Sequence, residues 1–314
     1  MNAPAARPEA DKAALVELLE TLAAQGYAFV TPSPDTHAIV LSREPGRTAN
    51  DLRDILGWSR PFAPGAFPKF EDLLARAGLL TTTPEGLRSE ARVSTLDGRL
   101  LIHSAYPTKA EDAVFFGPDS YRFARYIRAQ VTPSDAAMRV FDIGCGAGVG
   151  AITAASLLPQ AEVIAGDVNP AALRFTRANA AHAGLAVIAV ESPGLDGVDG
   201  DFDLILANPP YIADEGGRTY RHGGGALGGG LSLQWARDAA RRLRPGGRML
   251  LYTGSAIVEG RDAIRDGLEA LAGETGFSLA YEELDPDVFG SELDRPAYHQ
   301  VERIAVVGAV LTRP

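Results

Sequence analysis

The spacing of hydrophobic positions changes along the chain, and the change divides it. From Lys12 to Gln25, Leu15, Leu18, Leu19 and Leu22 recur at helical spacing and predict an amphipathic helix. Asn50–Trp58 and Lys69–Ala77 predict two more short helices, with Asn50 as the N-cap of the first. The runs Gly86–Ser94 and Arg99–His103 flank Asp97-Gly98, the strongest hairpin signal in the chain. Helices followed by a hairpin predict a small α+β domain over residues 1–112, winged-helix-like in its order, with a substrate-recognition or accessory role.

After about residue 113 short apolar runs alternate with helical segments. Strands are expected at Val140–Ile143, Glu162–Gly166, Leu185–Val190, Phe202–Ala207 and Arg248–Tyr252. Helices are expected at Gly150–Leu158, Pro170–Ala183 and Leu231–Leu243. This alternation predicts an α/β domain over 113–314 with a doubly wound, mostly parallel sheet. Ser278–Glu283 and Arg303–Thr312 have no helical pattern between them and predict an antiparallel pair that closes the sheet at seven strands.

Composition narrows the class. The chain has 314 residues, 46% of them hydrophobic and 22% charged, which suits one large or two modest soluble domains. No run approaches 18 uninterrupted apolar residues, so no membrane span is expected. The N-terminus shows no basic-then-apolar signal pattern, and the Ala/Pro-rich start, Met1 to Pro8, reads as disordered. The single cysteine, Cys145, excludes an internal disulfide and fits a reducing cytoplasm. Five scattered histidines without a Cys/His cluster suggest no metal site.

The net charge of −10 argues against broad, avid nucleic-acid binding, which depends on phosphate neutralisation by Lys and Arg. Residues 1–112 carry 12 Lys+Arg against 15 Asp+Glu, so the hairpin does not read as a duplex-binding wing. Arg237, Arg241, Arg242, Arg244 and Arg248 cluster in sequence, as do Arg122, Arg125 and Arg128. A solvated helix face is the simpler reading of each group, and a local basic patch is the alternative.

Two segments carry chemistry. The first is the turn Asp142-Ile143-Gly144-Cys145-Gly146-Ala147-Gly148 after the first strand of the α/β domain. Glycines there let the backbone approach a ligand, and the following helix offers free N–H groups. Asp167 ends the next strand, where a carboxylate accepts hydrogen bonds from both hydroxyls of a ribose. These features alone fit a nicotinamide dinucleotide as well as S-adenosylmethionine. Asp142 favours the second, because S-adenosylmethionine carries an ammonium and a sulfonium, whereas a pyrophosphate would be repelled. Cys145 reads as a small packed residue, since no His or acid beside it in sequence would activate it.

The second segment is Asn208-Pro209-Pro210-Tyr211, directly after the strand Phe202–Ala207. An NH2 nucleophile needs its hydrogens held so that its lone pair faces the methyl group. The Asn208 side-chain carbonyl and the Pro209 backbone carbonyl would each accept one N–H. Consecutive prolines stiffen that pair of acceptors, and Tyr211 would stack on a flat amide or base.

The form Asp-x-Gly-x-Gly-x-Gly, the Asn-Pro-Pro-Tyr motif and the Leu243-x-Pro245-Gly246-Gly247 turn together resemble the class I S-adenosylmethionine-dependent N-methyltransferases. The resemblance covers about 113–314 and is to HemK-type release-factor glutamine methyltransferases and to the small-domain nucleic-acid N-methyltransferases. It implies a Rossmann-like fold and S-adenosyl-L-methionine as cofactor. It places Phe116, Asp142, Gly144, Cys145, Gly146, Gly148, Asp167, Val168, Asn169, Glu191 and Asn208 at the cofactor, and Asn208, Pro209, Pro210 and Tyr211 at the transfer. Phe116 and Asp119 lie in the segment that covers the cofactor in such enzymes.

The implied partner is a protein, such as a release factor or ribosomal protein, or an RNA, with no metal and no membrane. Three features depart from the family. Glu191-Ser192-Pro193-Gly194 stands where the family often has Ser-Asp or Asp for the adenine amine, leaving Glu191 or a backbone group for that contact. The insert His222 to Gly230 is unusually rich in glycine, reading as a lid or as a surface loop, with Tyr220, Arg221 and His222 as candidate substrate contacts. The N-terminal part does not resemble the helical substrate domain of the bacterial glutamine enzymes. Other readings are a small-molecule N- or O-methyltransferase, a non-catalytic cofactor-binding protein of the same fold, and a nicotinamide dehydrogenase, against which Asp142 and Asn-Pro-Pro-Tyr both argue.

Overall fold

The computed structural model describes residues 10–108, 110–212, 223 and 227–314. The expectations for Met1 to Pro8, for Tyr220, Arg221 and His222, and for 224–226 of the glycine-rich insert lie outside the described residues. In chain order the elements are α1 (Ala10–Ala24), α2 (Pro34–Ser42), α3 (Leu52–Leu56), α4 (Pro68–Arg76), β1 (Leu80–Thr83), β2 (Gly86–Ser89), β3 (Ala91–Leu96), β4 (Arg99–Ser104), α5 (Pro118–Gln130), β5 (Arg139–Ile143), α6 (Val149–Leu157), β6 (Glu162–Asp167), α7 (Pro170–His182) and β7 (Ile188–Glu191). They continue with β8 (Phe202–Ala207), α8 (Gly230–Arg242), β9 (Leu243–Val258), β10 (Arg261–Asp262), α9 (Ala263–Thr275), β11 (Ser278–Asp285) and β12 (Arg303–Thr312).

The chain gathers into two compact units. One comprises 1–122 with 146–148 and 170–186, and the other comprises 123–145, 149–169 and 187–314. In the first, Leu15, Leu18, Leu19 and Leu22 of α1 are all fully buried, as their spacing predicts. That face packs against α4, α7 and β4. The β3–β4 hairpin turns at Asp97-Gly98, with φ of 52° and 75°, the two positive values that a two-residue turn of this hand requires.

The second unit is built on one sheet in the order β11-β12-β9-β8-β5-β6-β7, with β10 paired to the end of β9. Strands β5 to β9 run parallel, and β12 and β11 close the sheet antiparallel, as their sequence predicts. Successive crossovers run outward from β5 toward β7 and then reverse to β8. The switch point between β5 and β8 is where open α/β sheets bind ligands, outside the carboxyl ends of the strands. Phe141, Phe202, Ile205, Leu251 and Val307 lie in the buried core around this sheet.

Local chemistry explains the departures. The N-cap of α3 is Asp51 rather than Asn50, because the Asp51 carboxylate accepts the Asp54 N–H at 2.8 Å. The expected strand Gly86–Ser94 is two strands. Ser89 Oγ bonds the Ala91 N–H and carbonyl, and Glu90 N–H turns to Leu79, so β2 pairs with β1 and β3 with β4. The Leu243-to-Gly247 turn is absorbed into β9 as an irregularity between its pairings with Phe202 and Leu204.

Candidate active site

Four expected site positions end neighbouring strands on one edge of the sheet. Ile143 pairs with Ala207 in β5 and β8, so Gly144 and Asn208 each follow a paired row. Asp167 pairs with Glu191 at the ends of β6 and β7. With neighbouring strands about 4.8 Å apart, this edge is a row of groups at ligand spacing.

Gly144, Gly146 and Gly148 have φ of 65°, 55° and 84°, so the turn needs glycine at all three. A Cβ on Gly146 would meet no atom within 4 Å. The Cys145 N–H bonds the Gly166 carbonyl at 3.0 Å, and its thiol is buried. Asp142 is 1% exposed and accepts the Ala151 N–H at 2.8 Å, holding the first turn of α6. Burial pushes its carboxyl up to about 7, against the pull of that N–H and helped by the charge of Asp167.

Asp167 is half-buried and accepts the Asn169 N–H at 2.9 Å, which shapes the start of α7. Val168 beside it is 45% exposed, an apolar surface of the kind a base ring covers. Glu191 is exposed, and Ser192 is buried with its Oγ donating to the Gly194 carbonyl at 2.8 Å, so Ser192 fixes the loop after β7. A half-buried carboxylate for a ribose, an exposed valine for an adenine face and an open glycine turn fit S-adenosylmethionine. Asp167→Ala is therefore expected to weaken S-adenosylmethionine binding by about 1–3 kcal/mol, the cost of lost hydrogen bonds to a charged group. Calorimetry checks this, and an unaltered affinity would place the ribose elsewhere.

Asn208 is half-buried, and among the described residues its side chain has no hydrogen-bond partner. Pro209 is buried. Tyr211 is 9% exposed, and its ring lies against Gly254 of β9, where a Cβ would collide with it. Phe289 flanks the same ring, with centroids 5.9 Å apart and planes at 57°. The surroundings of Tyr211 thus brace the motif from behind. Gly223 closes on it too: its N–H bonds the Ile212 carbonyl at 3.0 Å, and a Cβ there would lie 2.5 Å from the Pro210 carbonyl oxygen.

Phe116 belongs to the first unit, where it is buried, stacked on His103 at 4.8 Å and edge-on to Tyr121 at 5.2 Å. Asp119 is buried in the first turn of α5 and pairs with Arg122 at 3.4 Å. The arginine cluster is largely engaged within the chain. Arg241 pairs with Asp238, Arg242 holds the carbonyls of Leu195 and Gly200, Arg244 meets Asp203 at 2.7 Å, and Arg248 bonds the Gln130 carbonyl.

Sequence reasoning missed Trp235, Thr176 and Asn179. The Trp235 ring packs under the turn, 2.7 Å from where a Cβ on Gly144 would be and 3.5 Å from one on Gly194. A lone tryptophan on α8 gave no signal of this. Thr176 and Asn179 did leave one: they are the polar members of a buried α7 set otherwise made of Ala172, Leu173, Phe175, Ala178 and Ala180. Among the described residues no group of three or more His, Cys, Asp or Glu could hold a metal, and no helix is long and apolar enough to cross a membrane.

The strand order β11-β12-β9-β8-β5-β6-β7 is that of the class I S-adenosylmethionine-dependent methyltransferase fold, and the glycine turn and the Asn-Pro-Pro-Tyr corner lie at its switch point. More particularly, residues 123–268 match the methyltransferase small domain family. The chain is similar to the release factor glutamine methyltransferase of Deinococcus radiodurans, 40% identical over 123 residues, or 36% of this chain and 44% of that protein. It is similar to the ribosomal RNA small subunit methyltransferase C of Serratia proteamaculans, 40% identical over 73 residues, or 23% of this chain and 21% of that protein. The matches span about half or less of these relatives' lengths. The solved structure of Trm5b from Pyrococcus abyssi shares the fold, with a TM-score of 0.50 at 15% identity over 74% of this chain and 62% of that one.

Proposed function

We propose that the chain is an S-adenosylmethionine-dependent N-methyltransferase whose acceptor is the side-chain amide of a protein glutamine, as in the release-factor enzymes. The observation that carries this reading is the Asn208-Pro209-Pro210-Tyr211 corner. It stands one residue past the β8 row that pairs with β5, with its tyrosine braced by Gly254 and Phe289 and its asparagine amide unspent. Asn208 Oδ1 and the Pro209 carbonyl accept the two N–H bonds of an incoming NH2 group. That fixes the nitrogen lone pair in line with the methyl carbon, and positioning of this kind is the main contribution a protein makes to such a displacement. Bound S-adenosylmethionine would supply the activated methyl on its sulfonium. The new N–C bond would form as the sulfonium's S–C bond broke, and the nitrogen would then lose one proton to water.

Charge supports a protein acceptor over a polyphosphate one. The chain carries −10, and Glu282, Glu283, Asp285, Asp287, Glu292 and Asp294 crowd the stretch around Phe289. The engaged arginines of α8 and β9 add little free positive surface. The second reading, the exocyclic amine of an RNA base, is favoured by the same corner, because a base edge offers the same NH2 geometry. Residues 1–112 are proposed to serve acceptor recognition and 113–314 the transfer, in the cytoplasm.

Tritium transfer from labelled S-adenosylmethionine into a cell extract, split into protein, RNA and small-molecule fractions, tests the acceptor. Label in one protein band is expected. Label in RNA alone would replace the glutamine reading with the nucleobase one, and label in the small-molecule fraction alone would end both.

A further inference from the structure

Asn179 on α7 is 1% exposed and uses both polar atoms of its amide. Its Oδ1 accepts the Ile102 N–H at 2.8 Å. Its Nδ2 donates to the Ile102 carbonyl at 3.0 Å and to the Ala147 carbonyl at 2.9 Å. The partners fix which atom is oxygen and which nitrogen, because one offers a hydrogen and two offer oxygen. An ionised aspartate of the same size has acceptors only, so asparagine is the matching residue here.

The two bonds to Ile102 copy a strand pairing. In the β3–β4 hairpin Ile102 faces Val93, and its own N–H and carbonyl are spent on Asn179. A two-stranded sheet has open edges whose backbone groups need partners. The Asn179 amide stands where a third strand would be. Its remaining N–H ends on Ala147, between Gly146 and Gly148 of the cofactor turn. Thr176, one turn earlier on α7, donates to the Gly146 carbonyl at 3.0 Å. Two successive carbonyls of that turn are thus held by one helix, and the helix is held by the hairpin.

We propose that the N-terminal hairpin is part of the scaffold of the cofactor site. Through Asn179, β4 fixes the Gly146–Gly148 backbone in the form that binds S-adenosylmethionine, so residues 91–104 set cofactor affinity in addition to any part they play with the acceptor. This rests on the cofactor reading above. Asn179 is a positioning residue, since it acts through the Ala147 carbonyl. The coupling is reciprocal: a ligand that orders the turn also orders the Ile102 edge.

The test is calorimetric titration of the full chain with S-adenosylmethionine, together with amide exchange at Ile102. Asn179→Asp removes both donors and sets a carboxylate against two carbonyls, so its Kd is expected to rise at least ~10-fold, and that of Asn179→Ala about 5-fold. Gly98→Val strains only the hairpin turn, where a Cβ meets nothing within 4 Å, and is expected to raise Kd about 2-fold. It keeps the test open should the Asn179 variants not fold. Saturating cofactor should slow exchange of the Ile102 amide in the wild-type chain and leave it unchanged in Asn179→Ala. A purely structural Asn179 gives the opposite split, with lower melting temperatures but unchanged affinity below the transition. That result, or an Ile102 amide indifferent to cofactor, overturns the proposal and leaves the methyltransferase reading standing. A wild-type chain that binds no S-adenosylmethionine overturns both.

Discussion

Asn208→Ala is expected to reduce methyl transfer by at least ~10²–10³-fold while S-adenosylmethionine affinity stays within about 3-fold. A preorganised polar group aimed at the reacting atoms is worth about that much in kcat, and loss of orientation adds to it. The split follows from where the residue sits. Asn208 directly follows β8, whereas Asp167, the carboxylate expected at the ribose, ends β6 on the far side of β5. The side chain has no bond to another described residue, so removing it leaves no buried partner unsatisfied. Stability should therefore change little, and lost activity would report chemistry. The measurement is single-turnover transfer together with a calorimetric Kd on the same preparation. Full turnover in the variant would remove the acceptor model, and a large loss of affinity would move Asn208 from the acceptor to the cofactor.

What was legible in the sequence follows from the kind of signal each element leaves. The parallel strands are buried on both faces, so Phe202–Ala207 reads as an apolar run broken only at Asp203 and is found at those bounds. Asp97-Gly98 was legible because a two-residue hairpin needs two positive φ values, which few residue pairs provide. The helices α2 and α9 were not foreseen, and α5 only as the helix face that Arg122, Arg125 and Arg128 suggested, although each opens on cap chemistry: Ser33 before Pro34, Pro118 after Gly117, and Asp262, whose carboxylate accepts two N–H groups of α9. Their apolar positions are too few or too mixed to give a clear period. The edge positions of the site were legible because Gly144, Asp167 and Asn208 each directly follow or end a strand. The supports of that edge were not. Gly254 lies inside β9, Phe289 in the irregular stretch between β11 and β12, and Asn179 is a buried polar residue whose partners come from residues 102 and 147. Contacts set by tertiary packing leave little local pattern: Gly254 and Phe289 read as ordinary until the fold brings their partners together, and Asn179 shows only as a polar residue on an apolar face of α7.

Asp142 makes the stability of the chain depend on pH in a direction opposite to that of most carboxylates. Burial raises its folded value from 3.8 to about 7, so between those limits the folded chain holds a proton that the unfolded chain has released. Stability from this group is present at low pH and is lost as pH rises from about 4 through 7, by roughly 4 kcal/mol at about 1.4 kcal/mol per unit. Asp142→Asn keeps the acceptor for the Ala151 N–H and removes the ionisation. Relative to the wild-type chain, the variant should gain about 2–3 kcal/mol between pH 5 and pH 8, measured as urea midpoints in the absence of cofactor. Taking the difference between the two chains cancels every other titrating group. A difference that stays constant from pH 5 to 8 would show that Asp142 ionises freely where it is buried. An ammonium or sulfonium bound near the glycine turn would favour the ionised form of Asp142. Wild-type affinity for S-adenosylmethionine should thus increase from pH 6 to 8 with release of a proton, while Asp142→Asn binds more weakly and with no such slope.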